Sequence, residues 1–307
     1  RNPRTKTIRT THFLAPLFFF MHGCMKKKSG ASKWIVRIVF VLGFLLLCYP
    51  LVSGIIQARY QSRAIATYDD GVESTSKEDL EGILEDARYY NSMLYQSQGA
   101  SLGNLDTTVL SEESYDNLLN QAGTGVMGSI EIPKIDVDLP IYHGTSNEVL
   151  EVGVGHQEGT SLPVGGENTR CVLTGHRGLP GSKLFTRLDE IVEGDFFFVN
   201  VLGETLAYQV TNIEVVEPDS VDVMMIEAGK DQVSLVTCTP YGINSHRLVV
   251  TGDRVDYQEA TYDSISEAVP SVRELFFTAA PFILLLIAVI FKIVDWRKGK
   301  KHETKEQ

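Results

Sequence analysis

Acidic side chains are absent from the first 56 residues, where nine Lys/Arg stand. Residues 57–273 reverse the balance, with 13 Lys/Arg against 35 Asp/Glu and a net charge of −22. A segment this acidic is poorly suited to neutralising phosphates, which argues against nucleic-acid binding. It suits a domain that stays soluble near an anionic envelope. Cysteine is scarce: the chain has four, and only Cys171 and Cys238 lie in the acidic segment. That count excludes a disulfide scaffold. The histidines fit no zinc spacing, and Glu217-Pro-Asp219 and Asp69-Asp70 read as solvated faces, so no metal is expected. There is no phosphate-binding Gly-rich loop, no internal repeat and no low-complexity tract, and no cofactor is expected.

Two long apolar runs bracket the acidic segment. The first covers 34–56 and is interrupted only by Arg37; the second covers about 275–294, with Lys292 near its end. Each is long enough to cross about 30 Å of hydrocarbon as a helix, and the charges at their ends snorkel to the interface. Basic flanks stay in the cytoplasm. With Arg297-Lys-Gly-Lys-Lys301 after the second run, both termini are expected inside and the acidic middle outside. A cleaved signal peptide is the alternative for the first run, but no small-x-small site follows closely. A lipoprotein site at Cys48 is rejected because Leu47 precedes it. Met25-Lys-Lys-Lys28 reads as a natural start, and nothing is read from residues 1–24. The expected division is an arm over 1–33, a span over 34–56, helices and a loop over 57–125, a catalytic domain over 126–257, a linker over 258–273, a second span over 274–296 and a basic tail over 297–307.

Ser76 with Asp79 three residues on makes a helix start, and Leu80, Ile83, Leu84, Ala87 and Leu94 follow at helical spacing. Residues 97–110 are rich in Ser, Gly, Asn and Thr and read as a loop of a length to cover a site, followed by a short helix over 112–119. From Val126 the period changes to two. Strands are expected over 127–132, 137–142, 170–174, 195–200, 205–210, 213–217, 233–237 and 248–255, with a short helix or turn over 147–154 and a helical insertion over 182–192. About eight short strands with little helix argue a closed or nearly closed β-barrel.

The chemistry gathers around Ser234-Leu-Val-Thr-Cys-Thr-Pro-Tyr-Gly-Ile-Asn-Ser-His-Arg247. A β-branched run delivers Cys238 to a turn broken by Pro240 and Gly242, and Arg247 opens the next apolar run. His176 lies in Thr174-Gly-His-Arg-Gly-Leu-Pro180, again a strand ending at a Gly/Pro turn. A thiol, an imidazole and a guanidinium at three strand ends suit thiol acyl transfer: nucleophile, proton carrier and oxyanion partner. Arg177 and Arg254 compete with Arg247 for the cationic role. Cys171 reads as a buried small hydrophobe, His156 as a structural turn residue, and His143 has no evident partner. On the residues alone, a plain thiol hydrolase and a non-catalytic envelope-binding domain stay open.

At these residues the chain resembles the sortases, and within them the class C, pilus-polymerising enzymes of Gram-positive bacteria. Ser234 to Leu248 resembles the family's catalytic motif and Thr174 to Pro180 the segment carrying its histidine. Gly128-Ser-Ile-Glu-Ile-Pro-Lys-Ile135, Leu139-Pro-Ile-Tyr-His-Gly144 and Gly153 to Gly166 resemble earlier barrel segments, and Arg88-Tyr-Tyr-Asn91 the N-terminal helix. The resemblance covers about 80–255. It implies a mainly β fold, a closed eight-stranded sortase-type barrel with N-terminal helices and a transmembrane helix at each end. It also implies Cys238 as nucleophile, His176 as general acid/base and Arg247 as oxyanion stabiliser. The implied substrate is an LPxTG-like sorting signal on a pilin or surface protein. It is cleaved after Thr through a thioester and passed to a pilin lysine; anchoring to a peptidoglycan amine is the alternative. Class C members carry an Asp-Pro-aromatic lid; here the loop reads Leu105-Asp-Thr-Thr108. Asp106 is left as a lid residue that can face Arg247, with no aromatic to cover Cys238.

Overall fold

The computed structural model describes residues 30–99, 107–179, 181–220, 225–259 and 272–303, together with 262, 265 and 270. The chain divides into two compact units, Arg1–Leu47 and Cys48–Gln307. Helix α1 (Gly30–Ser74) continues past the apolar run as one helix with Pro50 inside it, where one backbone donor is missing, and α2 (Lys77–Gly99) follows after a two-residue turn. Ser76 caps α2: Asp79 N–H donates to its Oγ at 3.1 Å and its hydroxyl donates to the Asp79 carboxylate at 2.6 Å. After a 3-10 turn, Thr107–Leu110, the short α3 (Glu112–Asn117) leads into the barrel.

The barrel strands are β1 (Val126–Ile132), β2 (Val137–His143), β3 (Val154–His156), β4 (Thr169–Thr174), β5 (Phe196–Val201), β6 (Glu204–Val216), β7 (Asp231–Thr239) and β8 (His246–Val255), with α4 (Asn147–Val152) ahead of β3. They close in the order β1-β2-β3-β4-β7-β8-β6-β5, with β5 returning to β1. Closure removes the sheet edges that an open sheet would expose. Pairing is antiparallel except for β2–β3 and β4–β7.

Side-chain alternation divides the strands between an inner and an outer face. Val233, Leu235, Leu248, Val250, Cys171 and Leu173 belong to the main core. Val172, Val236 and Val249 form a second small cluster on the opposite face, with Val216 against it. Tyr68, Val72, Ala87, Tyr90 and Leu94 from α1 and α2 extend the main core outside the barrel wall. Asn91 of α2 locks on with both ends of its amide: Nδ2 donates to Leu162 O, and Oδ1 accepts from Leu162 N–H at 2.7 Å.

The expected strands form, with three differences. β6 is continuous where two strands were expected, because the register shift between Val210 and Asn212 takes up the irregularity without breaking pairing to β8. β3, three residues long, was not foreseen. The expected helical insertion over 182–192 is instead a chain of turns with one 3-10 turn, Leu188–Glu190. Its apolar residues Leu184, Phe185, Leu188 and Ile191 are buried without a helix. Among the described residues one helix, Trp34–Ser74, is long and apolar enough to cross a membrane. The apolar part of the C-terminal helix α5 (Val272–Glu303) is shorter, Thr278–Val294.

Candidate active site

Cys238 is the penultimate residue of β7, and Arg247 is the second residue of β8. The two are direct cross-strand partners. Directly opposed residues of an antiparallel pair project to the same face, with Cβ atoms about 5 Å apart. That face is the outer one, shared with Val236, Val249, Val172 and Thr174. The thiol therefore stands outside the core, half-buried at the end of an apolar shelf. The turn between β7 and β8 holds itself by Ile243 N–H and Asn244 N–H, both donating to Pro240 O. Gly242 and Asn244 take positive φ, a conformation these residue types tolerate.

His176 reaches the same end from β4. The last pair of the parallel ladder is Thr174 opposite Val236, and two residues on from each come His176 and Cys238. Hydrogen bonds continue beyond the strand: Gly175 N–H donates to Val236 O at 3.0 Å, and Thr237 Oγ1 donates to Gly175 O at 2.7 Å. The loop carrying His176 is seated on both sides. A Cβ at Gly175 would lie 2.7 Å from the Phe185 ring, and Phe185 N–H donates to His176 O. Gly178, at φ +84°, lies against the Tyr241 ring of the β7–β8 turn.

The structure separates the three competing arginines. Arg177 has a side chain only 5% exposed, pairs with Asp189 at 2.5 Å and donates to Thr239 Oγ1 at 3.1 Å, with its guanidinium 5.8 Å from the Tyr241 ring. It ties the His176 loop to the residue after Cys238. Arg254 lies over the Tyr208 ring, near the far end of β8. Arg247 alone is opposite the thiol, its Nη1 donating to the carbonyls of Asn244 and His246. His246, on the other face, approaches Glu217 at 3.4 Å. Asp106 lies outside the described residues.

Cys171 is buried on the inner face of β4, and desolvation pushes its thiol well above the ordinary range. His156 is not in a turn: it sits in β3, fully buried. Its Nε2–H donates to Ser161 O at 2.8 Å, which leaves Nδ1 to accept from the Tyr115 hydroxyl at 2.9 Å. Burial holds its pKa down to about 4. His143 also has partners: its ring nitrogens face Gly125 O and Leu118 O. Both histidines anchor the segment around α3, a role their isolated positions in sequence did not reveal. No group of His, Cys, Asp and Glu suited to a metal occurs among the described residues.

Comparison with known proteins identifies the family. The model of the sortase domain matches residues 130–255. Sortase D of Bacillus subtilis is 33% identical over 131 residues, which span 42% of this chain and 63% of that protein. Sortase C1 of Streptococcus agalactiae aligns over its full length and 64% of this chain, with 44% identity and a TM-score of 0.58. Sortase C of Streptococcus pneumoniae, a structure described in terms of pilin substrate specificity, aligns over 97% of its length and 64% of this chain, with 43% identity and a TM-score of 0.56. With a closed barrel of this order and a solved class C enzyme matched end to end, the chain belongs to the sortase family of cysteine transpeptidases.

Proposed function

We propose that this chain is a membrane-anchored class C sortase that joins pilin subunits. The observation that carries the reading is the direct pairing of Cys238 with Arg247 on the outer face, with His176 brought level by the β4–β7 ladder. The Cys238 thiolate attacks the carbonyl carbon of Thr in an LPxTG-like signal. Arg247 donates to the oxyanion. As the tetrahedral intermediate collapses, the bond to the next residue breaks and His176 hands its proton to the departing amine. A thioester remains on Sγ. The ε-amine of a pilin lysine then attacks it, gives a proton to His176 and expels the thiolate.

The similarity to class C enzymes, one of them described by its pilin specificity, supports a pilin acceptor over a peptidoglycan amine. Helix α1 supplies the first span, and α5 is assigned the second, with both termini cytoplasmic and the barrel outside. The test is a polymerisation assay with a purified pilin bearing the signal. Wild-type chain is expected to build a covalent ladder, and Cys238→Ala to give neither ladder nor cleavage. A ladder made by Cys238→Ala would end the proposal. Cleavage by wild type with transfer only to a peptidoglycan amine would replace pilin joining by wall anchoring.

A further inference from the structure

Helix α1 runs along the barrel in a definite sense, and its contacts after Pro50 fix that sense. Gly54 lies against Gly181, five residues after His176, with a Cβ at Gly54 placed 3.4 Å from Gly181 O. Gln57 donates to Glu151 O at 3.0 Å and Gln61 to Val152 O at 2.9 Å. Those carbonyls lie just ahead of β3, whose Gly155 pairs with Thr174, so they too sit at the active-site end. Farther along, Tyr68 Oη accepts from Leu202 N–H at 3.0 Å, and Val72 lies against Gly203. Leu202 and Gly203 form the β5–β6 turn, at the opposite end: β6 starts beside them and finishes at Val216, opposite Arg247. From Gly54 to Tyr68 the helix rises about 21 Å.

The end of α1 that meets the active-site pole is therefore the apolar one. Residues 48–56 are the outer end of the apolar run and belong to the same compact unit as the barrel. Gly54 is two residues, or about 3 Å, inside the last apolar position. The headgroup zone on each side of a bilayer is roughly 5–7 Å thick. With the apolar run spanning a bilayer, the Gly181 segment that follows the His176 loop would lie at the boundary between hydrocarbon and headgroups.

The surface of that pole suits such a neighbour. On the β7–β8 turn Tyr241 is 44% exposed and Ile243 72% exposed, three and five residues after the nucleophile. Tyrosine, an aromatic ring with a polar tip, is enriched where proteins meet the membrane–water interface. Ion pairs at this pole join Lys134 to Asp195, Lys183 to Asp136, Arg177 to Asp189 and Arg187 to Glu190, while Glu151, Glu193 and Glu217 are exposed acids of the same pole.

We propose that the acyl-transfer site opens onto the outer bilayer surface, with Tyr241 and Ile243 resting in the lipid headgroup region. Its peptide is then taken at the membrane face, which selects substrates themselves held to the membrane. The inference rests on the membrane-anchored reading above. It is tested on the full chain in phosphatidylcholine/phosphatidylglycerol vesicles, with Trp34→Phe and Trp296→Phe clearing the background and Ile243→Trp as reporter. Lipids brominated near the top of the acyl chain are expected to quench the Ile243→Trp reporter severalfold more than a Glu204→Trp reporter at the opposite pole, and aqueous iodide the reverse. Equal quenching of both reporters by iodide, with neither touched by brominated lipid, would overturn it. Tyr241→Trp gives the same readout should the first reporter fail to fold. Adding Cys238→Ala leaves the quenching unchanged, so failure of the transfer chemistry and failure of this orientation are read separately. As a second arm, wild-type chain is expected to cleave a lipid-anchored sorting peptide in the same vesicles at least tenfold faster than the soluble peptide; equal rates would contradict the proposal.

Discussion

Arg247 and Arg177 carry the same charge and do different work because of where they stand. Arg177 is spent on Asp189 and Thr239, and Arg247 faces the thiol across one strand pair. Replacing Arg247 by Ala is expected to lower kcat by about 10²–10³-fold, the usual loss of one oxyanion donor. Arg247→Lys should recover little, since a point charge does not reproduce a planar fork of donors. Steady-state kinetics on a sorting peptide checks both, and near-normal turnover in Arg247→Ala would remove it from the chemistry. Gly175 is a packing requirement: an added methyl meets the Phe185 ring at 2.7 Å. Gly175→Ala is expected to cost about 1–3 kcal/mol by overpacking, read as a lowered Tm with slowed acylation. The motif residues were legible because a strand broken by Pro and Gly leaves few places for a thiol to point. The separation of the arginines was not legible, since it depends on Asp189 and Tyr241, which only the fold brings beside Arg177.

Among elements, α3 is pinned by a buried polar set. Tyr115 takes a hydrogen bond from Gly144 N–H and gives one to His156, while its ring lies edge-on to His143. Tyr115→Phe leaves the His156 nitrogen and the Gly144 N–H without this partner, so a loss of about 1–3 kcal/mol is expected in denaturant unfolding. The pH dependence has two opposed parts. His156 is held neutral in the fold, with a pKa near 4 against about 6.5 when unfolded. Its contribution is complete above pH 6.5 and is lost as pH falls toward 4, because the unfolded chain then binds a proton the folded one refuses. Asp138 faces Glu131 across β1–β2 and is pushed up to about 6, by desolvation first and then by Glu131. It is exposed on β2, which softens the effect, and its sign is opposite: the fold gains as pH falls through 6. Asp138→Asn should therefore steepen the fall of Tm between pH 7 and 5; an unchanged slope would contradict this pairing of effects. The hairpin strands were readable from their period of two. β3 was hidden because three residues carry no period. The apolar spacing of Leu184, Phe185, Leu188 and Ile191 fits a helix, yet tertiary burial takes them in turns, with Leu184 at φ +34°.

At the scale of the whole molecule, the sequence pattern conveys the apolar helix, the acidic segment and a barrel. It does not convey the sense in which α1 runs along the barrel, which follows from Gly54 against Gly181 and Tyr68 against Leu202, contacts far apart along the chain. It also leaves open the face from which Cys238 projects, which is set by the β7–β8 register. The account rests on an acyl group carried by that one sulfur. The most direct measurement is mass spectrometry of the chain quenched during turnover of an LPxTG-like peptide, with the adduct located by peptide mapping. The account predicts the acyl mass on the peptide containing Cys238, absent in Cys238→Ala and discharged by added amine. Turnover with no adduct on Cys238, or an adduct on Cys171, would contradict it.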